Sequence, residues 1–134
     1  MTKARNQQYV IISAELTNLS EFENKQRTDR LESWLNDLNV QFTKSFGTYN
    51  NKTENSFFVN VNNNEELNTL MDYAFKNFNQ ESILYSDRTG TCWLEFRDSS
   101  TEKLGTMRQV SPKLVESLKN YVVVNGTVLT TENV

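Results

Sequence analysis

The sequence predicts an α+β sandwich of the ferredoxin-like kind, a mainly antiparallel sheet with two helices on one face. Its hydrophobic pattern switches between periods of two and about 3.6 in the order strand, helix, strand, strand, helix, strand, with an added strand. Both helical stretches open on a capping signal. The length of 134 residues suits a single domain, and a chain of this size buries roughly two-thirds of its unfolded surface without staples.

Taken in order, Tyr9-Val10-Ile11-Ile12-Ser13-Ala14 is a short, continuous, β-branched run, as expected of a central strand covered on both faces. Ser20 and Glu23 form a capping box, and Leu31, Trp34, Leu35 and Leu38 follow at helical spacing, so a helix is expected from about Glu21 to Leu38. Val40, Phe42 and Phe46 read as a strand, Gly47 to Lys52 as a polar loop, and Phe57, Val59 and Val61 as the next strand. Asn63 with Glu66 caps a second helix, whose stripe is Leu67, Leu70, Met71, Ala74, Phe75 and Phe78. Ile83 to Tyr85 and Cys92 to Phe96 are strands joined through Asp87-Arg88-Thr89-Gly90. This core occupies about residues 8–97 of a single domain, 1–134. The remainder, 98–134, is expected as an extension: a polar link from Asp98 to Lys103, a strand within Leu104 to Val110, a short helix opened by Ser111-Pro112, and a hairpin turning on Asn125-Gly126.

Composition narrows the chemistry. The chain has no histidine, so a histidine-based nucleophile, an imidazole proton shuttle and a histidine zinc site are excluded. The lone Cys92 supplies neither a disulfide framework nor a thiolate cluster. A net charge of -3, with Lys and Arg dispersed, argues against a nucleic-acid binder. The N-terminal MTKARNQQ has no apolar signal run, and no stretch approaches the ~20 apolar residues of a membrane span. A soluble, cytoplasmic protein is expected. The 18 asparagines, beside few glycines and prolines, fit AT-rich coding of the kind common in phages.

Two constellations and one serine carry chemical interest. Asn24 and Arg27 continue the helical stripe that Leu31, Trp34 and Leu38 fill with apolar side chains. Either that stripe emerges into water in its first turn, or Arg27 faces an anionic group or a neighbouring subunit. The segment Gly47 to Phe57 places Tyr49 in a polar loop and Glu54 where a strand begins, an aromatic face and a carboxylate suited to a cationic ligand, or else an ordinary surface turn. Ser13 interrupts a buried strand near its end. The other acids, Glu15, Asp29, Asp37, Asp72, Asp87 and Glu95, have no spacing that forces a metal or glycosidase site.

The strand YVIISA, the step Asn24-x-x-Arg27, the Gly47-x-Tyr49 loop and TENSFFV, in which Glu54 precedes a strand, together resemble the phage S-adenosylmethionine (SAM) lyases, long described as SAM hydrolases. The resemblance spans roughly Tyr9 to Phe96. It implies a GlnB-like sandwich assembled as a homotrimer with sites between subunits. It also implies cleavage of SAM to 5′-methylthioadenosine and homoserine lactone, without a cofactor or metal, as a counter-defence against restriction–modification. By position, Tyr49 and Glu54 would form the catalytic core, and Ser13, Asn24 and Arg27 the supporting substrate contacts. Such a reaction needs no enzyme base, because the substrate's own carboxylate can attack Cγ and expel the thioether. A hydrolase using Glu54 as base, a non-catalytic adenine-nucleotide module of the same fold, and a protein that binds a host enzyme are the alternatives.

Overall fold

The computed structural model describes residues 8–49 and 52–131, with Tyr49 described in its backbone alone. The elements are β1 (Gln8–Ile12), α1 (Glu21–Asp37), β2 (Phe42–Tyr49), β3 (Lys52–Val61), α2 (Asn64–Phe78), β4 (Ser82–Ser86), β5 (Thr91–Phe96), β6 (Thr101–Thr106), β7 (Arg108–Val110), β8 (Tyr121–Val124) and β9 (Thr127–Thr130). A 3-10 helix, Pro112–Ser117, lies between β7 and β8. No helix among the described residues is long and apolar enough to cross a membrane.

The local signals act as their chemistry requires. The Ser20 hydroxyl accepts from the Glu23 amide at 3.1 Å while the Glu23 carboxylate accepts from the Ser20 amide, satisfying two donors that α1 would otherwise leave unpaired. Asn63 caps α2 by accepting from the Glu66 amide at 2.8 Å, and α2 ends on Asn79 in the left-handed region. Asn125 and Gly126 both have positive φ, the requirement of a tight type I′ hairpin between β8 and β9.

The ferredoxin-like/GlnB-like sandwich expected from the sequence is corrected by the sheet. All nine strands join one sheet in the order β6-β5-β4-β1-β3-β2-β8-β9-β7, every adjacent pair antiparallel. Its edge strands, β6 and β7, are neighbours in the chain, separated by Met107 alone. Laid flat, nine strands would hold those edges about 38 Å apart, whereas Thr106 and Arg108 lie within about 7 Å along the chain. The sheet therefore curls into a nearly closed, barrel-like form. Residues beyond Phe96 are thus no appendage to a finished core: β6 extends the β5 edge, and β8, β9 and β7 extend the β2 edge. The sequence misleads here because these strands are short and mostly polar on one side, and the strand expected within Leu104 to Val110 is two strands on opposite edges. The polar loop expected at Gly47 to Lys52 is also corrected, since β2 runs on to Tyr49 and β3 starts at Lys52; Asn50 and Asn51 lie outside the described residues.

The main core lies where α1 and α2 cover the middle of the sheet. Val10 and Ile12 of β1, Phe57, Val59 and Val61 of β3, Leu31 and Leu35 of α1, and Leu67, Leu70, Met71, Ala74 and Phe78 of α2 are all buried together. Trp34 stacks on Tyr73 at 3.6 Å and ties the helices to one another. A smaller cluster of Val110, Leu118 and Val128 forms beneath the 3-10 helix. Between them these clusters fix β1, β3 and β2, whose shared end carries the candidate site.

Candidate functional site

β1 stops at Ile12, before the expected Ser13 and Ala14, and the chain crosses to α1 through an irregular link. Residues 13–16 lack ladder bonds, yet side chains hold their main-chain groups. The Ser13 hydroxyl accepts from the Glu15 amide at 3.1 Å, and Arg27 Nε donates to the Ala14 oxygen at 2.6 Å. Gln80 Nε2 donates to the Glu15 oxygen at 3.3 Å. Asn24 clamps Leu16 from both sides, accepting from its amide and donating to its oxygen, each at 2.9 Å. Buried main-chain groups must be paired, and here four side chains do the work of a strand partner.

Asn24 and Arg27 are therefore on the inner stripe of α1, as their spacing implies, and their main task in the folded chain is to pin this link. Arg27 also donates to the Phe78 oxygen and lies 5.4 Å over the Phe78 ring. The polar stripe neither simply emerges into water nor leaves its groups idle.

The link runs beside β3. Ile12 pairs with Phe57, and continuing that register past the end of β1 carries Glu15 to the level of Glu54. The contacts agree: the Glu15 carboxylate accepts from the Asn55 amide at 2.8 Å and from Asn55 Nδ2 at 3.2 Å, while the Ser13 hydroxyl donates to the Asn55 oxygen at 2.8 Å. The Ser13 hydroxyl also neighbours the Glu54 carboxyl and favours its ionised form. Ser13, Glu15, Glu54 and Asn55 thus form one cluster at the end of the sheet.

Its electrostatics are unusual. Burial, and then the Glu15 carboxylate, push the Glu54 carboxyl up to about 7, with the Ser13 hydroxyl acting in the opposite direction. Neither glutamate has a Lys or Arg in ion-pair range among the described residues, where the salt bridges are Lys25–Asp29 and Lys44–Glu32. A carboxyl in this setting holds a proton near neutrality and gives it up readily to a cation.

The strand opposite leaves room for one. Gly47 of β2 pairs directly with Glu54, so no side chain projects beside the carboxyl from that position. Glycine is also demanded from behind, because a Cβ at Gly47 would stand 3.2 Å from the Tyr121 oxygen of β8. Tyr49 pairs through its backbone with Lys52 in the same hairpin, two residues from Glu54; its side chain lies outside the described residues.

Of the five residues singled out in the sequence, the structure brings Ser13 and Glu54 into contact and sets Asn24 and Arg27 behind the link that presents Ser13. Glu15, Asn55, Gln80 and Gly47 are the participants that spacing did not single out. Glu15 was legible only as one acid among several, since its approach to Glu54 depends on the β1–β3 register. Asp87, by contrast, is engaged in its own turn, accepting from Trp93 Nε1 at 3.0 Å and from Thr89 and Thr91. The open hollows along α1, one at Trp34 and Tyr73 and one at Gln26 and Arg27, take in neither Glu54 nor Ser13.

A search of curated proteins found no match to the chain. The sequence model of the S-adenosylmethionine lyase family matches residues 10–132, most of the chain and every element from β1 to β9.

Proposed function

The chain belongs to the S-adenosylmethionine lyase family and is a SAM lyase; from that premise we propose that it cleaves SAM at the Ser13–Glu54 cluster, giving 5′-methylthioadenosine and homoserine lactone. The observation that carries the assignment is the half-buried Glu54 carboxyl, set against Ser13, beside a second carboxylate and without a cationic partner among the described residues. SAM brings an ammonium and a sulfonium, the charges this site lacks.

In the proposed reaction the methionine carboxylate oxygen attacks its own Cγ. The Cγ–S bond breaks, its electron pair returns to sulfur, and the neutral thioether leaves as the lactone ring closes. No proton is transferred and no water consumed. The protein's contribution is to hold the folded methionine arm in a near-attack conformer and to keep water from its carboxylate. Glu54 binds the ammonium or the ribose hydroxyls in this scheme. Contact with the sulfonium would stabilise the ground state, because that positive charge vanishes toward the transition state. Tyr49 is proposed to fix the bent arm, and Asn24 and Arg27 to support the substrate by holding residues 13–16.

A homotrimer is part of this scheme, with the exposed Phe46 of β2 offering an apolar side chain for a subunit contact on the β2–β3 hairpin. The proposed setting is the cytoplasm of a phage-infected cell, where loss of SAM would starve restriction–modification enzymes of their methyl donor.

One observation favours a second reading. A carboxyl with its pKa near 7 is a competent general base, so Glu54 could activate water for direct hydrolysis. Turnover in ¹⁸O-water separates the two. Water attack at Cγ puts the label in the homoserine hydroxyl, whereas the lyase gives unlabelled lactone, whose later hydrolysis at the carbonyl labels the carboxylate. An early lactone signal by NMR is the expected result, and label in the hydroxyl overturns it.

A further inference from the structure

Glu15 has a more specific task than its surface position implies. The irregular link that carries it is fixed at Ala14, Glu15 and Leu16 by Arg27, Gln80 and Asn24. Its carboxylate accepts twice from Asn55, the residue next to Glu54. A glutamine could accept from the Asn55 main-chain N–H through its oxygen and, with the Asn55 side chain turned over, donate to its Oδ1, so this pairing does not itself require a negative charge. That charge also carries a cost, since the Glu15 and Glu54 carboxylates repel each other.

We propose that Glu15 is a specificity-determining residue of the site, whose charge favours the sulfonium substrate over the uncharged thioether that remains when its methyl group is absent. SAM and S-adenosylhomocysteine share an adenosine, an ammonium and a carboxylate. They differ only by the methyl group and the charge on sulfur, a net +1 against 0, so a second fixed anion discriminates between them. This rests on the assignment of the Ser13–Glu54 cluster as the SAM site. The sulfonium charge that Glu15 attracts fades toward the transition state, so Glu15 lowers KM and lowers kcat with it.

The charged groups facing Glu54 from the packed elements are few. Glu15 comes from the link, β2 presents Gly47, and Lys52 is the exposed cation two residues along β3 itself. Glu15→Gln keeps an acceptor for the Asn55 amide and removes the charge; Glu15→Asp keeps the charge.

The test uses the full-length protein, with kinetics on SAM and calorimetric binding of SAM, in the inactive Glu54→Gln background where needed, and of S-adenosylhomocysteine. Glu15→Gln is expected to raise KM by about 3- to 10-fold, raise kcat by up to a similar factor and lower the preference for SAM over the thioether by about 3- to 10-fold. It should also move the pH midpoint of kcat/KM downward, because Glu54 loses a like charge. Glu15→Asp should retain the preference. An unchanged preference and pH midpoint in Glu15→Gln, or an equal loss of affinity for both ligands, overturns the proposal. Proton release on binding to the wild-type chain at pH 7 tests it without a Glu15 variant: SAM should release more protons than the thioether, and equal release overturns it. A wild-type chain that neither binds nor cleaves SAM would instead overturn the site assignment beneath the proposal.

Discussion

At the scale of single residues, Glu54 concentrates the energetic tension of the molecule. Its carboxyl ionises near 7 in the folded chain, above its ordinary value of 4.5. A carboxyl raised on folding binds more protons in the native state, so stability falls as pH rises through the interval from about 4.5 to 7 and stays low above it. That loss is about 2 kcal/mol once solvent screening of a partly exposed group is allowed for. Urea unfolding midpoints should therefore decline between pH 5 and 7.5 in the wild type and flatten in Glu54→Gln; parallel curves for the two proteins would contradict the shift. Catalysis should run the other way. Binding a cation needs the ionised form, so kcat/KM for SAM rises through about pH 7, and Glu54→Gln loses about 100-fold or more above pH 7, the deficit narrowing as pH falls. Ser13→Ala removes the hydroxyl that favours the carboxylate, so its kcat/KM midpoint should lie above that of the wild type. Glu54 and Ser13 were visible in the sequence as a carboxylate at a strand start and a hydroxyl at a strand end. Their contact was not, because 41 residues of chain separate them and only the antiparallel pairing of β1 with β3 closes that distance.

At the scale of elements, the irregular link between β1 and α1 is the device that positions the site. Its order comes from the helix that follows it, since Asn24 and Arg27 project from the first turns of α1 back onto Leu16 and Ala14. Asn24→Ala leaves the Leu16 amide and oxygen without their partner and should cost about 1–3 kcal/mol in denaturant unfolding. KM should rise as well, since Ser13 and Glu15 lose their fixed position. A variant with wild-type KM would show that the link is not part of the site. The β2–β3 hairpin makes its own demand at Gly47. Gly47→Val drives a branched side chain toward the Tyr121 oxygen of β8 and into the space beside Glu54. Both stability and SAM affinity should fall, with the affinity loss persisting at temperatures where the variant is fully folded. The helix starts were legible because a capping box is local chemistry, complete within Ser20 to Glu23. The ends of β2 and β3 were not, because a polar strand at a sheet's end reads like a loop until its partners are known.

At the scale of the whole molecule, the nine-stranded sheet curls until its edges nearly meet while leaving apolar groups at its surface, with Phe22 61% and Phe46 43% exposed. Phe46 pairs with Asn55 and Val123 on the face of the sheet opposite the Glu54 side chain, so a partner seated there would brace the β2–β3 hairpin from behind. Light scattering should give three times the 15.6 kDa chain mass, and Phe46→Asp should lower that mass together with activity. A monomeric wild-type chain with full activity would defeat the trimer proposal. What the sequence by itself determined is what short-range chemistry controls: the two capped helices, the β1 and β3 cores, the Asn125-Gly126 turn, and a catalytic vocabulary without histidine that suits a substrate carrying its own nucleophile and leaving group. Only the tertiary structure decided that the short strands after Phe96 belong to both edges of one curled sheet, and that Glu15 stands beside Glu54. Strand pairing is the physical reason: ladder bonds join residues far apart in the chain, and register, which no local spacing encodes, settles which side chains meet.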